Sequence, residues 1–257
     1  MSMANIPMKH SLTLLPIVPT TPTLYPTAEA LASRCQLSVS LTPTFPLLLQ
    51  LNEHHLGLYD KRTTAGPVYV DFVKGALGYR RQHGGGRQQP LAKAVGLKAQ
   101  RRLTVVDATA GLGRDAFILA YLGCEVHMLE RAPVIAALLF DGLQRAQQCP
   151  HVGPLIQQRL HGWHMDAQQG LSQWSPEVIY LDPMYPPRPK SALVKKEMQM
   201  LHALVGEDTD SSHLLQQALK CARHRVVVKR PQYAPPLEAK PSFCIHSKKT
   251  RFDVYLV

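Results

Sequence analysis

The chain is short of several things, and each shortage narrows what it can be. Its five cysteines, Cys35, Cys124, Cys149, Cys221 and Cys244, form no Cys-x-x-Cys pair. An odd, scattered set argues against a disulfide framework and a structural zinc site, and fits reduced thiols in a cytoplasm. No run of 18 apolar residues occurs, so no segment reads as a membrane span. The apolar stretch from Ser11 to Pro19 is interrupted by prolines and has only a weak positive flank, which makes a poor signal peptide. No internal repeat is visible, and His54-His55 has no third ligand close in sequence, so no metal site is expected. Acidic residues are scarce beside basic ones: 18 Asp+Glu against 29 Lys+Arg, a formal charge of +11. Such an excess suits a polyanionic partner, because each neutralised phosphate releases a counterion, but an ordinary basic enzyme fits equally well.

What is present is apolar sequence sufficient for one main core and a small appendage. Residues 1–65 read as a small N-terminal α/β lobe, with a strand over 12–18, a helix over 27–35 and a hairpin of strands 46–51 and 56–59. A connector follows, with a helix expected over 68–79, a glycine-rich stretch ending in Arg87, and a helix over 90–95. From 103 onward strands and helices alternate: strands at 103–107, 125–130, 160–163, 178–181, 225–229 and 252–257, helices at 114–122, 133–148 and 211–222. That rhythm predicts a Rossmann-like α/β domain over 66–257, its sheet mostly parallel and covered by helices on both faces.

The stretch Val105-Val-Asp-Ala-Thr-Ala-Gly-Leu-Gly113 is the most informative. A buried strand ends in Asp107, and a turn with Gly111 and Gly113 enters a helix. Open α/β sheets bind ligands at that carboxyl edge. The spacing is Asp-x-x-x-Gly-x-Gly rather than the Gly-x-Gly-x-x-Gly of dinucleotide enzymes. A carboxylate at this point repels a pyrophosphate and welcomes the cationic amino-acid end of S-adenosylmethionine, the expected cofactor. A plain strand-turn-helix corner is the competing account. The next strand ends in Glu130, placed to accept both ribose hydroxyls, and Asp166 stands where a third strand ends, placed to accept an adenine amine.

The second stretch is Val178-Ile-Tyr-Leu-Asp-Pro-Met-Tyr-Pro-Pro187. Methylating an aromatic amine requires acceptors for its hydrogens, because the nitrogen lone pair is delocalised into the ring. Asp182 and the Pro183 carbonyl are candidates for that role, and Tyr185 for stacking on the base. Alone, this could be a rigid Asp-Pro turn. Behind two acidic strand ends in the same order it reads as a catalytic motif.

With these residues in hand the chain resembles the class I methyltransferases, with a seven-stranded sheet. Within them it is similar to the ribosomal RNA small subunit methyltransferase J family, whose members methylate N2 of a guanosine in 16S rRNA. The likeness rests on the blocks 106–117, 128–131, 180–184, 190–198 and 226–231, with Gly84–Arg87 and 92–96, and spans about 66–257. It implies cofactor contacts at Arg114, Asp115, Glu130, Arg131, Asp166, Ala167 and Asp182. At Asp166-Ala167 the chain departs from the family's Ser-Ser, which removes a hydroxyl contact. The resemblance implies 16S rRNA or the small ribosomal subunit as partner.

Lys190, Lys195 and Lys196 follow the catalytic motif and are candidates for flanking phosphates, as are Arg87, Lys229 and Arg230. Two alternatives stay open on sequence alone: an amine methyltransferase acting on DNA adenine or protein glutamine, and a non-catalytic RNA-binding protein with the same fold.

Overall fold

The computed structural model describes residues 15–43, 46–74, 86–98, 101–184, 200–201, 204–205, 210–238 and 240–257. A seven-stranded sheet carries the chain's main core. Chain order gives β1 (Ile17–Pro19), α1 (Tyr25–Cys35), β2 (Leu47–Leu51), β3 (Leu56–Asp60), α2 (Pro90–Ala94), β4 (Thr104–Asp107), α3 (Arg114–Tyr121) and β5 (Glu125–Glu130). There follow α4 (Pro133–Gln147), α5 (Gly153–Arg159), β6 (Leu160–His164), α6 (Ala167–Gly170), β7 (Val178–Leu181), α7 (Ser211–Cys221), β8 (Arg225–Pro231), β9 (Phe243–His246) and β10 (Thr250–Leu256). The large sheet runs β6-β5-β4-β7-β8-β10-β9. Its first five strands are parallel, and β10 pairs antiparallel with both β8 and β9.

Period-two alternation explains why the central strands read as unbroken apolar runs. On β7, Val178 and Tyr180 join the core on one face, while Ile179 and Leu181 join the core on the other. Both faces are covered, so both parities are apolar. One face packs against α3 and α4; the other packs against α7, whose Leu214, Leu215 and Ala218 recur at helical spacing. The chain leaves β4 in one direction through β5 and β6 and then in the other through β7 and β8. The strand order therefore reverses at β4–β7, where such sheets open a ligand crevice. Among the described residues, no helix is long and apolar enough to cross a membrane.

The small sheet, β1-β2-β3, pairs β1 parallel with β2 and β2 antiparallel with β3. It shares one continuous core with the large sheet, through α1 and α4. Arg34 on α1 stacks over the Phe140 ring at 3.5 Å and donates to the Gly162 carbonyl at 3.0 Å. His55 of the hairpin stacks on Tyr69, with ring centroids 4.3 Å apart.

Two local expectations change. Residues 68–74 are not helical: Leu58 and Val68 exchange backbone hydrogen bonds of 2.9 and 2.8 Å. Val68, Val70 and Phe72 are buried while Tyr69 is exposed, which is strand-like alternation. The remainder of the expected helix, 75–79, lies outside the described residues, as do residues 12–14 of the expected strand 12–18. The sequence reading also lacks α5 and β9. The latter is an edge strand whose residues are mostly exposed, so no apolar pattern announces it.

Candidate active site

Three adjacent strands, β5, β4 and β7, bring their carboxyl ends to one rim, and each end carries an acid. Glu130, Asp107 and Asp182 all line a single cavity of about 480 Å³. The wall also includes Gly111, Arg114, Asp115, Arg131, Asp166, Ala167 and Pro183. Leu129, Ile135 and Leu214 supply an apolar side.

The turn after β4 is built to hold this rim together. The Thr109 amide donates to Asp107 Oδ1 at 3.2 Å, and the Asp182 amide donates to Thr109 Oγ1 at 2.6 Å. Thr109 therefore ties the glycine turn to the end of β7. Glu130 clamps the other side: Oε2 accepts from the Gly111 amide at 2.8 Å and Oε1 from the Ala132 amide at 2.7 Å. Gly111 adopts φ +54° there. Gly113 is not among the residues lining the cavity. Its φ is +70° at the start of α3, and a Cβ on it would lie 2.8 Å from Leu139 Cδ1. Backbone shape and packing account for that glycine.

A chain of charges runs under the rim. Lys229 Nζ donates to Asp182 Oδ2 at 2.7 Å and to Asp115 Oδ2 at 2.8 Å, and the Tyr180 hydroxyl donates to Asp115 Oδ2 at 2.8 Å. Burial works against the Lys229 charge, but Asp182 and Asp115 outweigh it and raise its pKa. Burial raises the pKa of Asp107 well above the carboxylate range, and Asp115 and Asp182 push it further the same way. The pocket thus holds three carboxyl groups around one ammonium, with Asp107 the least able to carry its charge alone. A cationic ligand group would relieve that strain, so the donor set fits the amino-acid and sulfonium end of S-adenosylmethionine.

The far side of the cavity is fixed by Asp210. Its Oδ2 accepts from Arg131 Nη1 at 2.6 Å and from Gln168 Nε2 at 2.5 Å. Asp166 Oδ1 accepts from the Gln168 amide at 2.9 Å and so caps α6.

A ribosomal RNA small subunit methyltransferase J from Aeromonas hydrophila is 54% identical over 240 residues, covering 92% of this chain and 95% of its own length. The chain belongs to the ribosomal RNA small subunit methyltransferase J family. A relative of the same name from Tolumonas auensis is 54% identical over 90% of this chain and 93% of its own length. The family model SAM_MT, for SAM-dependent methyltransferases, matches residues 30–257 of this methyltransferase. The match begins well before residue 66, so the second half of α1 and the hairpin strands β2 and β3 fall within it, while β1 precedes it. A crystal structure of a SAM-dependent methyltransferase from Neisseria gonorrhoeae agrees with a TM-score of 0.75 at 36% identity, covering 93% of this chain and 95% of that one.

Among the residues read from sequence as RNA contacts, two take other places in this methyltransferase. Lys229 lies in the cavity between two carboxylates. Arg230 is buried, its guanidinium donating to the Pro235 carbonyl. Strand alternation explains both, since β8 sends neighbouring side chains to opposite faces of a covered sheet. Arg87 is exposed. Tyr185, Lys190, Lys195 and Lys196 lie outside the described residues. Thr109, Tyr180 and Asp210 went unnoticed in the sequence. Thr109 stands inside the glycine motif and could have been suspected, whereas nothing local marks Asp210.

Proposed function

We propose that this methyltransferase transfers a methyl group from S-adenosylmethionine to the exocyclic N2 of a guanosine in 16S rRNA, with residues 66–257 as the catalytic domain and 1–65 as an accessory lobe. The observation carrying this reading is the acceptor pair Asp182–Pro183 at the end of β7, beside a cavity lined by Asp107 and Glu130. The names and high identity of the relatives support the rRNA substrate.

S-adenosylmethionine supplies a methyl already activated on a sulfonium. Glu130 would hold its ribose, Asp107 its ammonium, and Asp166 with Ala167 its adenine edge. Gly111, Arg114, Asp115 and Arg131 complete the surround. Asp182 and the Pro183 carbonyl accept hydrogens from the target amine and point its nitrogen at the donor. Lys229, kept protonated, donates to Asp182 and supports an acceptor role rather than that of a general base. Asp182 then stabilises the positive charge developing on nitrogen, whose proton leaves to solvent. Tyr185 is the candidate for stacking on a guanine swung out of its helix, and Lys190, Lys195 and Lys196 for phosphates beside it, whereas Arg87 lies away from the cavity.

The test is methyl transfer from labelled S-adenosylmethionine to small-subunit rRNA, to assembled small subunits, to DNA and to protein in separate reactions. Mass analysis should return N2-methylguanosine from the rRNA. Label on adenine or on protein alone would overturn the assignment.

Asp107 gives a second prediction, with opposite effects on stability and binding. Its folded pKa lies above the unfolded value, so above pH 4 or so the folded state holds the extra proton. Stability falls as pH rises through that interval. Asp107→Asn keeps the acceptor for the Thr109 amide and removes the ionisable group. The cofactor-free variant should therefore melt higher than wild type at pH 7–8, with no advantage near pH 3. Its affinity for S-adenosylmethionine should fall about 10–100-fold through loss of a charge-assisted hydrogen bond. Calorimetric titration and thermal melts over pH check both, and unchanged affinity would remove Asp107 from the cofactor site.

A further inference from the structure

The opposite edge of the large sheet carries a second feature, and nothing in methyl transfer uses it. Arg101 and Arg102 precede β4, Tyr121 ends α3, Arg159 ends α5, and Arg87 belongs to the turn Gly86–Gln88. The four arginines and Tyr121 line a shared concavity of about 280 Å³ at the amino ends of the strands. Gly123 forms its floor, and a Cβ there would meet Arg87 Nη2 at 3.6 Å and Arg159 Nη1 at 4.0 Å. Two guanidiniums from distant segments therefore converge on one point. Arg101 is paired with Glu177 at 2.7 Å. Among the described residues, Arg87, Arg102 and Arg159 make no ion pair, so the concavity holds several cations against one acid. Tyr121 is 43% exposed beside them.

Arginine matches phosphate oxygens with a planar fork of donors, and an exposed tyrosine beside it offers a face for a base. We infer that this arginine cluster is a second binding site for the substrate RNA, holding backbone phosphates of a folded region remote from the target base. This rests on the RNA substrate proposed above. The strands separating the two edges are four to six residues long, which at about 3.3 Å per residue puts the sites roughly 13–20 Å apart. A short oligonucleotide carrying the target guanine reaches only the cavity edge; a folded rRNA domain reaches both.

Arg102→Gln and Arg159→Gln are suited to the test, because neither residue lines the methyl-transfer cavity and neither forms an ion pair among the described residues. Equilibrium binding of a folded small-subunit rRNA domain should weaken about 10–100-fold in the double variant. The slope of log affinity against log salt should fall by about two, one per lost phosphate contact. Affinity for S-adenosylmethionine, thermal stability and binding of a short target oligonucleotide should stay at wild-type values, and Arg102→Lys with Arg159→Lys should recover part of the loss. Unchanged affinity and salt slope on the folded RNA overturn the inference. So does an equal loss on duplex DNA of matched length, which makes the patch a general polyanion surface. Displacement of the RNA by millimolar inorganic phosphate also overturns it, in favour of a small-anion site. Binding decides this independently of catalysis: wild-type protein that fails to methylate rRNA refutes the proposed function and leaves the binding comparison intact.

Discussion

Asp182→Ala should lower kcat about 10³-fold while leaving the affinity for S-adenosylmethionine within about threefold of wild type, the scale found when one oriented group at a developing charge is removed. The side chain stands at the mouth of the cavity, 38% exposed, where a substrate amine can reach it. Its carboxylate is not required to keep Lys229 paired, because Asp115 holds that ammonium at 2.8 Å from the other side. Truncation therefore removes the acceptor for the amine without stranding a buried cation, which is why binding and stability should survive. Asp182→Asn is the informative companion. It keeps a carbonyl acceptor and loses the charge, so it should retain more activity than the alanine variant, with a loss of about 10–100-fold. Single-turnover rates with cofactor in excess, alongside calorimetric cofactor titration, separate the two effects. Full activity in Asp182→Ala would end the catalytic assignment. A parallel collapse of cofactor affinity would make Asp182 a binding residue first.

The acids that make this argument were visible in the sequence because a strand end is a local property. Val105-Val106 before Asp107 and the apolar run before Asp182 are buried on both faces, so their ends are marked by the first polar residue. That parallel strands bring such ends to one edge follows from the alternation with helices. Side chains that meet across strands were not visible. Lys229 and Arg230 sit in one basic dipeptide, and local sequence suggests a common role. Register sends Lys229 toward Asp115 and Asp182, and Arg230 to the opposite face under the Pro235 carbonyl. The segment at 68–72 misled for a related reason. Val68 and Phe72 stand four apart, a spacing shared by helix and strand, and the choice is made by Leu58, which pairs with Val68 from the hairpin. The arginine concavity was equally hidden, since its cations come from three separate parts of the chain.

Glu130→Ala should do two separable kinds of damage. In the cofactor-free protein its carboxylate accepts from the amides of Gly111 and Ala132, joining the glycine turn to the start of α4. Ala132 is buried, so truncation strands its N–H without water, at about 1–3 kcal/mol, while the half-buried Gly111 amide adds less. A total near 2–4 kcal/mol corresponds to a melting point roughly 5–15 °C lower for a domain of this size. The second effect is on the ligand. If Glu130 accepts both ribose hydroxyls, the variant loses two charge-assisted hydrogen bonds, and Kd for S-adenosylmethionine should rise at least about 100-fold. Cofactor at 100 times the wild-type Kd stabilises wild type by about 2.7 kcal/mol and should stabilise the variant by under about half a kcal/mol. Glu130→Gln keeps an acceptor for one amide and turns an NH2 toward the other, so its melting point should lie between the two while its affinity falls nearly as far. Melts with and without cofactor therefore resolve two roles for one side chain. A variant that melts low but gains the full cofactor shift leaves Glu130 a purely structural clamp, and the ribose must then be held elsewhere on the rim.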